Sequence, residues 1–448
     1  MDLSKLVETG LEAGAAVVIA SSSRSVNCRL ANNTVTTNGI EDSTSAGVIA
    51  IDDGRVGVEA ADVQASADVL GLAGRATARA RQVPPAPDAM PLLAPSECPV
   101  PEQLTGEEQR QGLDPLLDGL RLALEQSRSS GLHLYSYAHL QEERELLGTS
   151  AGVRLPGMRR AGSLSMTLKS SDLTRSVWAG RMAAGLKGIQ ADALYEHLVG
   201  RLSWTERQLE LPPGDYEVIL EPSATADMLT RLGWEMHARG ADEERTVFSG
   251  HQKSRVGEQM YARQINLESD PSDPKMTVPG YVRTLHSSEY SSVFDNGLAA
   301  PRTSWIKDGV QQDLICPRRW AMDHDHPVRA DAENLRLVGT STTLEEMIAA
   351  TKRALLVTSF WYIRDVDPST LLLTGLTRDG VFLIENGEVV GSVNNFRFNE
   401  SPVRVLARTT EMGQAELALS RETGDSIFVE APPIRVEGFH MSSVSDAI

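Results

Sequence analysis

The sequence predicts an α+β protein, with an N-terminal α/β domain on an antiparallel sheet followed by a β-rich C-terminal domain. Three observations predict it. Residues 3–81 run helix, strands, helix. Two of the expected turns, Asn38-Gly39 and Asp53-Gly54, are dipeptides that accept the positive φ of a two-residue hairpin. Late in the chain short apolar runs recur, and Asn386-Gly387 between 380–384 and 389–393 is the strongest hairpin signal of all. The domains are expected at 1–205 and 206–448.

Leu3, Leu6, Val7 and Leu11 recur at helical spacing, and residues 15–21, 25–30, 34–37 and 45–51 then read as strands. The alanine-rich stretch 63–81 reads as a helix. Residues 83–101 are dense in proline, which removes a donor and restricts its predecessor, so an extended linker or an ordered strap is expected. Helix returns at 107–127 through Leu116, Leu117, Leu120 and Leu124. Strands are expected at 132–138, 143–147, 166–168 and 175–178, and a helix at 191–202. Residues 302–316 read as a hairpin with Asp308-Gly309 at its tip, and 343–354 as a helix. Strands follow at 355–360, 370–376, 380–384, 389–393 and 428–439. No repeat period is present.

Composition excludes several classes. A net charge of −18 argues against nonspecific contact with nucleic acid or anionic membrane, which draws on clustered Lys and Arg. Cys28, Cys98 and Cys316 are too few and too scattered for a disulfide framework. The N-terminus lacks a signal-peptide pattern and no apolar run nears the roughly 20 residues that span a bilayer, so a cytoplasmic protein is expected.

The chemistry centres on residues 215–250. A short apolar strand is followed by Met228, Leu229, Leu232 and Met236 at helical spacing, with Ser223 or Thr225 as cap and Gly240 as stop. The opposite stripe carries Thr230, Trp234 and His237. From Leu229 to Phe248-Ser249-Gly250 this stretch resembles, without a gap, the signature helix of the TldD/TldE (PmbA) metallopeptidase family. Residues 32–57, Val293-Phe294-Asp295-Asn296-Gly297, 305–310, 357–360 and the Ile384-Glu385-Asn386-Gly387 hairpin resemble the family in the same order. Its catalytic type begins the helix H-E-x-x-x-H and takes a third ligand, a cysteine, near its C-terminus. Here Leu229, Thr230 and Trp234 hold the three positions, and no cysteine follows Cys316, although the matching region lies around 417–423. Zinc needs lone-pair donors and the metal-bound water needs a titratable base.

The resemblance therefore implies a TldE-like, non-catalytic chain with no cofactor of its own. It implies a TldD-like partner that carries the zinc, a heterodimer, and peptide as substrate. Trp234 would line a peptide groove or partner surface, or fill the volume of a lost zinc site. His237 is expected at a surface or interface. Arg318 and Arg319 would grip a carboxylate or a partner, or lie in a solvated turn. One further cluster, Asp323-His324-Asp325-His326, offers metal donors if it is a strand, because alternate residues share a face. The competing reading is a polar loop before Pro327. An independent hydrolase using Asp323, His324 and His326, and a non-enzymatic binding module such as a toxin or gyrase-inhibitor antagonist, are the alternatives. Gly148-Thr149-Ser150-Ala151-Gly152 matches the nucleophile-elbow pattern, but Pro156 follows where a helix is required, so a hairpin turn is expected.

Overall fold

The structure, a computed structural model, describes residues 1–99, 112–250 and 254–446. Its N-terminal half contains helix α1 (Leu3–Glu12), strands β1 (Val17–Ala31), β2 (Thr34–Asp52) and β3 (Arg55–Asp62), and helices α2 (Ser66–Ala80) and α3 (Asp114–Ser129). Strands β4 (His133–Thr149), β5 (Arg154–Lys169) and β6 (Ser176–Ala183) and helix α4 (Ala191–Trp204) complete it. The strands form one sheet in the order β3-β2-β1-β4-β5-β6, every pair antiparallel. Val18 and Ala20 of β1 pack under α1 and α2, while Val17 packs on the other face with Ile49 and Phe294. Burial on both faces explains why this strand opens on a continuous apolar run, Val17 to Ala20, rather than an alternating one.

Two turn expectations part ways. Asp53-Gly54 turns the chain at φ 48° and 73°. Asn38-Gly39 instead lies inside β2, opposite Cys28 and Asn27. The turn falls at Asn32-Asn33, at φ 48° and 60°. It is fixed by distant contacts: Asn33 Oδ1 accepts from Leu134 N (2.7 Å) and Ser127 Oγ (3.0 Å), and Nδ2 donates to Leu132 O (2.6 Å). The strands expected at 132–138 and 143–147 are one strand, β4, and residues 150–152 turn from β4 to β5 with Gly152 at φ 96°. Of the helix expected over 107–127, residues 107–111 lie outside the described residues and α3 begins at Asp114.

Gly57 is required by close approach. A Cβ there would lie 2.0 Å from Ala76 O, because α2 rests backbone to backbone on β3. Gly57→Ala is expected to lower stability by about 1–3 kcal/mol, read as a shifted urea midpoint at unchanged slope.

The proline-rich segment is an ordered strap as far as Pro99; Val100 and Pro101 lie outside the described residues. Ala86 N donates to Gly54 O (2.8 Å) and Arg55 to Val83 O (2.8 Å), and Leu93 is buried. At its far side Asp88 accepts from Ser292 Oγ (2.7 Å) and Pro91 O from Arg318 (2.7 Å).

Among the described residues the C-terminal half holds two sheets. The larger has ten strands. Its path runs Phe360–Asp367, Leu372–Thr377, Asn395–Glu400, Ile434–Ser445, Gly214–Leu220, Arg353–Val357, Val381–Glu385, Glu388–Val393 and Gln208–Leu209, with Thr409–Met412 pairing off it. The smaller has six, in the order Val310–Gln311, Thr303–Lys307, Leu267–Ser269, Asn334–Leu337, Gly424–Ala431 and Glu416–Ser420. The run expected at 428–439 is two strands, one in each sheet, separated at Pro432-Pro433, where two missing donors end the ladder. Val218 and Leu220 pack with helix α5 (Pro222–Glu235), while Ile219 between them packs into the cluster of α3 and α4. That alternation seats α5 on one face of the large sheet and the α3–α4 pair on the other.

Candidate functional site

Helix α5 starts at Pro222, whose fixed φ and missing N–H suit the first helical position. Neither Ser223 nor Thr225 caps it; the cap residue is Glu221, whose carboxylate forms a buried ion pair with Arg201 of α4. From Pro222 to Thr230 every residue is buried. The single apolar face expected of this helix is thus a core helix covered on nearly all sides.

The helix stops at Glu235, well before Gly240. Ile315 N donates to Met236 O and Ala238 N donates to Ile315 O, both at 2.9 Å, and this bridge draws the chain out of helical geometry. His237 then caps a second short helix, Ala238–Asp242, through Nδ1, which accepts from Gly240 N (3.1 Å). It is 2% exposed and lies 3.4 Å from Glu289. The expected surface histidine is therefore a buried cap, and burial lowers its pKa from the usual imidazole value.

The three positions of the signature diverge. Leu229 is in the core with Met228 and Leu232. Thr230 is buried and its hydroxyl has no hydrogen-bond partner among the described residues. Trp234 is 41% exposed, with the Arg231 guanidinium 4.8 Å from its ring. The 417–423 region does lie beside this helix: Ser420 Oγ donates to Asp227 Oδ1 at 2.6 Å. Burial pushes the Asp227 carboxyl up to about 7, against the hydrogen bond from Ser420.

Trp234 opens on a cavity of about 530 Å³ at the C-terminal end of α5. Trp305, Tyr281, Leu335 and Met236 supply apolar wall, and Glu235, Arg283, Asp331 and Glu333 supply charge. Tyr290, also on the wall, donates its hydroxyl to Trp234 O. Burial, then the neighbouring Asp365 and Glu289, push Glu235 up to about 7. Burial likewise raises Glu333, while Asp331 stands exposed at the rim. Arg283 is already committed, 3.0 Å from both Glu145 and Glu333. None of these charged cavity groups stood out in the sequence; the signal toward the site was Trp234.

The other candidate residues are dispersed. Residues 318–324 form a helix rather than a strand, ended by Asp325 at φ 58°. Asp323 binds Arg319 (2.7 Å), His324 stacks on Trp320 (3.7 Å between centroids), and His326 binds Asp242 (2.8 Å). Among the described residues no group of three His, Cys, Asp or Glu side chains is placed to hold a metal. Arg318 does not face outward: Nε and its backbone N–H reach Asp295 at 2.7 and 3.0 Å, and Nη2 reaches Pro91 O and Phe294 O. Its two ends are consumed by the fold. Arg319 remains part-exposed, its Nη1 3.5 Å from Ala89 O.

The C-terminal domain of the PmbA/TldA metallopeptidases matches residues 213–443, and their domain 1 matches residues 16–80. The chain belongs to this family, also written TldD/TldE. No curated protein matches it in sequence. Among solved structures it is similar to TldE from Thermococcus kodakarensis, at 17% identity and TM-score 0.80 over 98% of this chain and 99% of that one. It is also similar to proteins of Bacteroides thetaiotaomicron and Thermotoga maritima, each described as a proposed modulator of DNA gyrase. These are 14% and 15% identical, with TM-scores of 0.78 and 0.77, over 99% and 98% of this chain and 98% of each of theirs. At such identities the likeness establishes the fold.

For the zinc implied by this family, the donor set is the test. Leu229 has no donor atom, the Trp234 indole only donates a hydrogen bond, and Thr230 offers one buried hydroxyl. These three side chains do not fit a zinc site of the TldD/TldE type. No helix among the described residues is long and apolar enough to cross a membrane.

Proposed function

We propose that this chain is the metal-free, TldE-like subunit of a heterodimeric zinc metallopeptidase. A TldD-like homologue brings the zinc and the general base, and this chain completes the cavity in which unfolded or modified peptides are cleaved. The observation that carries the reading is the replacement of both histidines and the glutamate by Leu229, Trp234 and Thr230 on a helix that otherwise keeps its place in the fold. An edge strand adds support. Phe360–Asp367 ends the large sheet and leaves Trp361, Tyr362 and Val366 exposed, a surface suited to a partner or to strand addition by peptide backbone. We place the pair in the cytoplasm, where the three unpaired cysteines remain thiols. An independent hydrolase built on Asp323, His324 and His326 has no observation in its favour.

The test is a native pull-down from the host with mass spectrometry of the captured material. A stoichiometric homologue bearing H-E-x-x-x-H is expected. The reconstituted pair should cleave unfolded peptide while this chain alone does not. A chain that emerges alone or only with itself overturns the reading.

A further inference from the structure

We propose that the cavity beside Trp234 captures the ammonium or guanidinium group of a peptide, with Glu235 and Asp331 as its counter-charges. That the occupant is a peptide rests on the subunit reading above. The charge of the occupant rests on the cavity itself.

Neither Glu235 nor Asp331 forms an ion pair among the described residues, although both line the same space. The basic groups near them are taken. Arg283 lies between Glu145 and Glu333, and Arg245 is clasped by Glu243 and Glu289. His286 also lines the space and is exposed. The cavity thus carries excess negative charge within largely apolar walls. Glu235 is half-buried and Asp331 stands exposed at the rim; holding a carboxylate partly out of water without a counter-charge is costly, and the cost is relieved when a cation enters. The raised pKa of Glu235 has this origin: burial first, then the like charges of Asp365 and Glu289.

The shape matches the same ligand class. A lysine or arginine side chain, or a peptide amino terminus, joins a charged head to an apolar stem, and such groups lay the stem on apolar surface while the head is paired. Trp305, Met236 and Leu335 offer that surface, and the indole of Trp234 stands at the mouth. A bare divalent ion is a poorer match, since it takes several oxygen ligands from one set, and no trio of suitable side chains converges here among the described residues.

Titration of the full chain at low ionic strength, followed by tryptophan fluorescence and calorimetry, tests the proposal. Three probes are used: an alanine tripeptide amide with a free amino terminus, N-acetyl-Ala-Lys-Ala-amide, and N-acetyl-Ala-Gln-Ala-amide. At least one cationic probe should bind about tenfold more tightly than the neutral one, and added salt should weaken it. Which of the two binds identifies the terminus or the side chain as the source. The pair Glu235→Gln and Asp331→Asn should remove that preference, and Glu388→Gln on the opposite side of the large sheet should leave it intact. Both substitutions are isosteric, and the one at Asp331 keeps an oxygen to accept from Glu333 N, so the variants are expected to remain folded, and far-ultraviolet dichroism checks this. Equal binding of the neutral and cationic probes overturns the proposal, as does a preference that survives both substitutions. Because the titration uses this chain alone, a chain that pairs with a catalytic homologue yet treats all three probes alike loses the capture site and keeps the subunit reading.

Discussion

Asp295→Ala is expected to lower the stability of the chain by about 3–5 kcal/mol, the cost typical of removing one member of a buried ion pair. Asp295 is 1% exposed and meets Arg318 at 2.7 Å. Burial keeps its carboxyl above the ordinary range even with Arg318 alongside, so the pair is not a large net source of stability. The loss comes from what truncation leaves behind. Arg318 would stay in place, held by Pro91 O and Phe294 O, with its charge unmatched. Those contacts also tie the strap to the C-terminal half, so protease sensitivity within 83–99 should rise together with the fall in urea midpoint. Asp295→Asn keeps one acceptor and should cost less. A midpoint unchanged in Asp295→Ala would show that the strap is held by its apolar contacts alone.

Asp227 should make stability depend on pH in the direction opposite to a salt-bridged carboxylate. Its folded pKa of about 7 stands above the 3.8 of the free side chain. The unfolded chain therefore gives up this proton first as pH rises, and stability falls between about pH 4 and pH 7, then levels off. Three pKa units correspond to about 4 kcal/mol at most. Glu145 and Glu235, each raised to about 7, contribute slopes of the same sign. Asp227→Asn should thus retain a fall across this window but a shallower one, reduced by up to about 1.4 kcal/mol per pH unit. Unfolding in urea at half-unit steps from pH 4.5 to 8 measures it. Identical slopes for the two proteins would mean that Asp227 is hydrated in the native state.

Much of the fold was legible because local chemistry decided it. Asp53-Gly54, Asp308-Gly309 and Asn386-Gly387 turn where their residue types require, all at positive φ. Asn38-Gly39 has the same local preference and lost to Asn32-Asn33, whose turn is secured by Ser127 and Leu134, about a hundred residues away. The end of α5 was misplaced for the same reason, since Ile315 rather than Gly240 interrupts it. At the site, the altered positions 229, 230 and 234 were legible through the resemblance to the family's signature helix. The cavity was not, because its walls come from 233–236, 281–291 and 331–335, segments with no shared pattern. His237 and Arg318 were placed outside for want of their partners: Glu289 for one, Asp295 and the strap for the other.

The strand leading into α5 has a consequence for how the chain reaches its native state. Val218 lies between Leu355, on a parallel neighbour, and Val436, on an antiparallel one. Both neighbours are synthesised long after it. Until they arrive, Gly214–Leu220 is a bare apolar ribbon with two open edges, and closing those loops delays any pairing that would protect it. Folding of this half should be slow for its size, dominated by contacts between remote parts of the sequence, and most exposed to aggregation during translation.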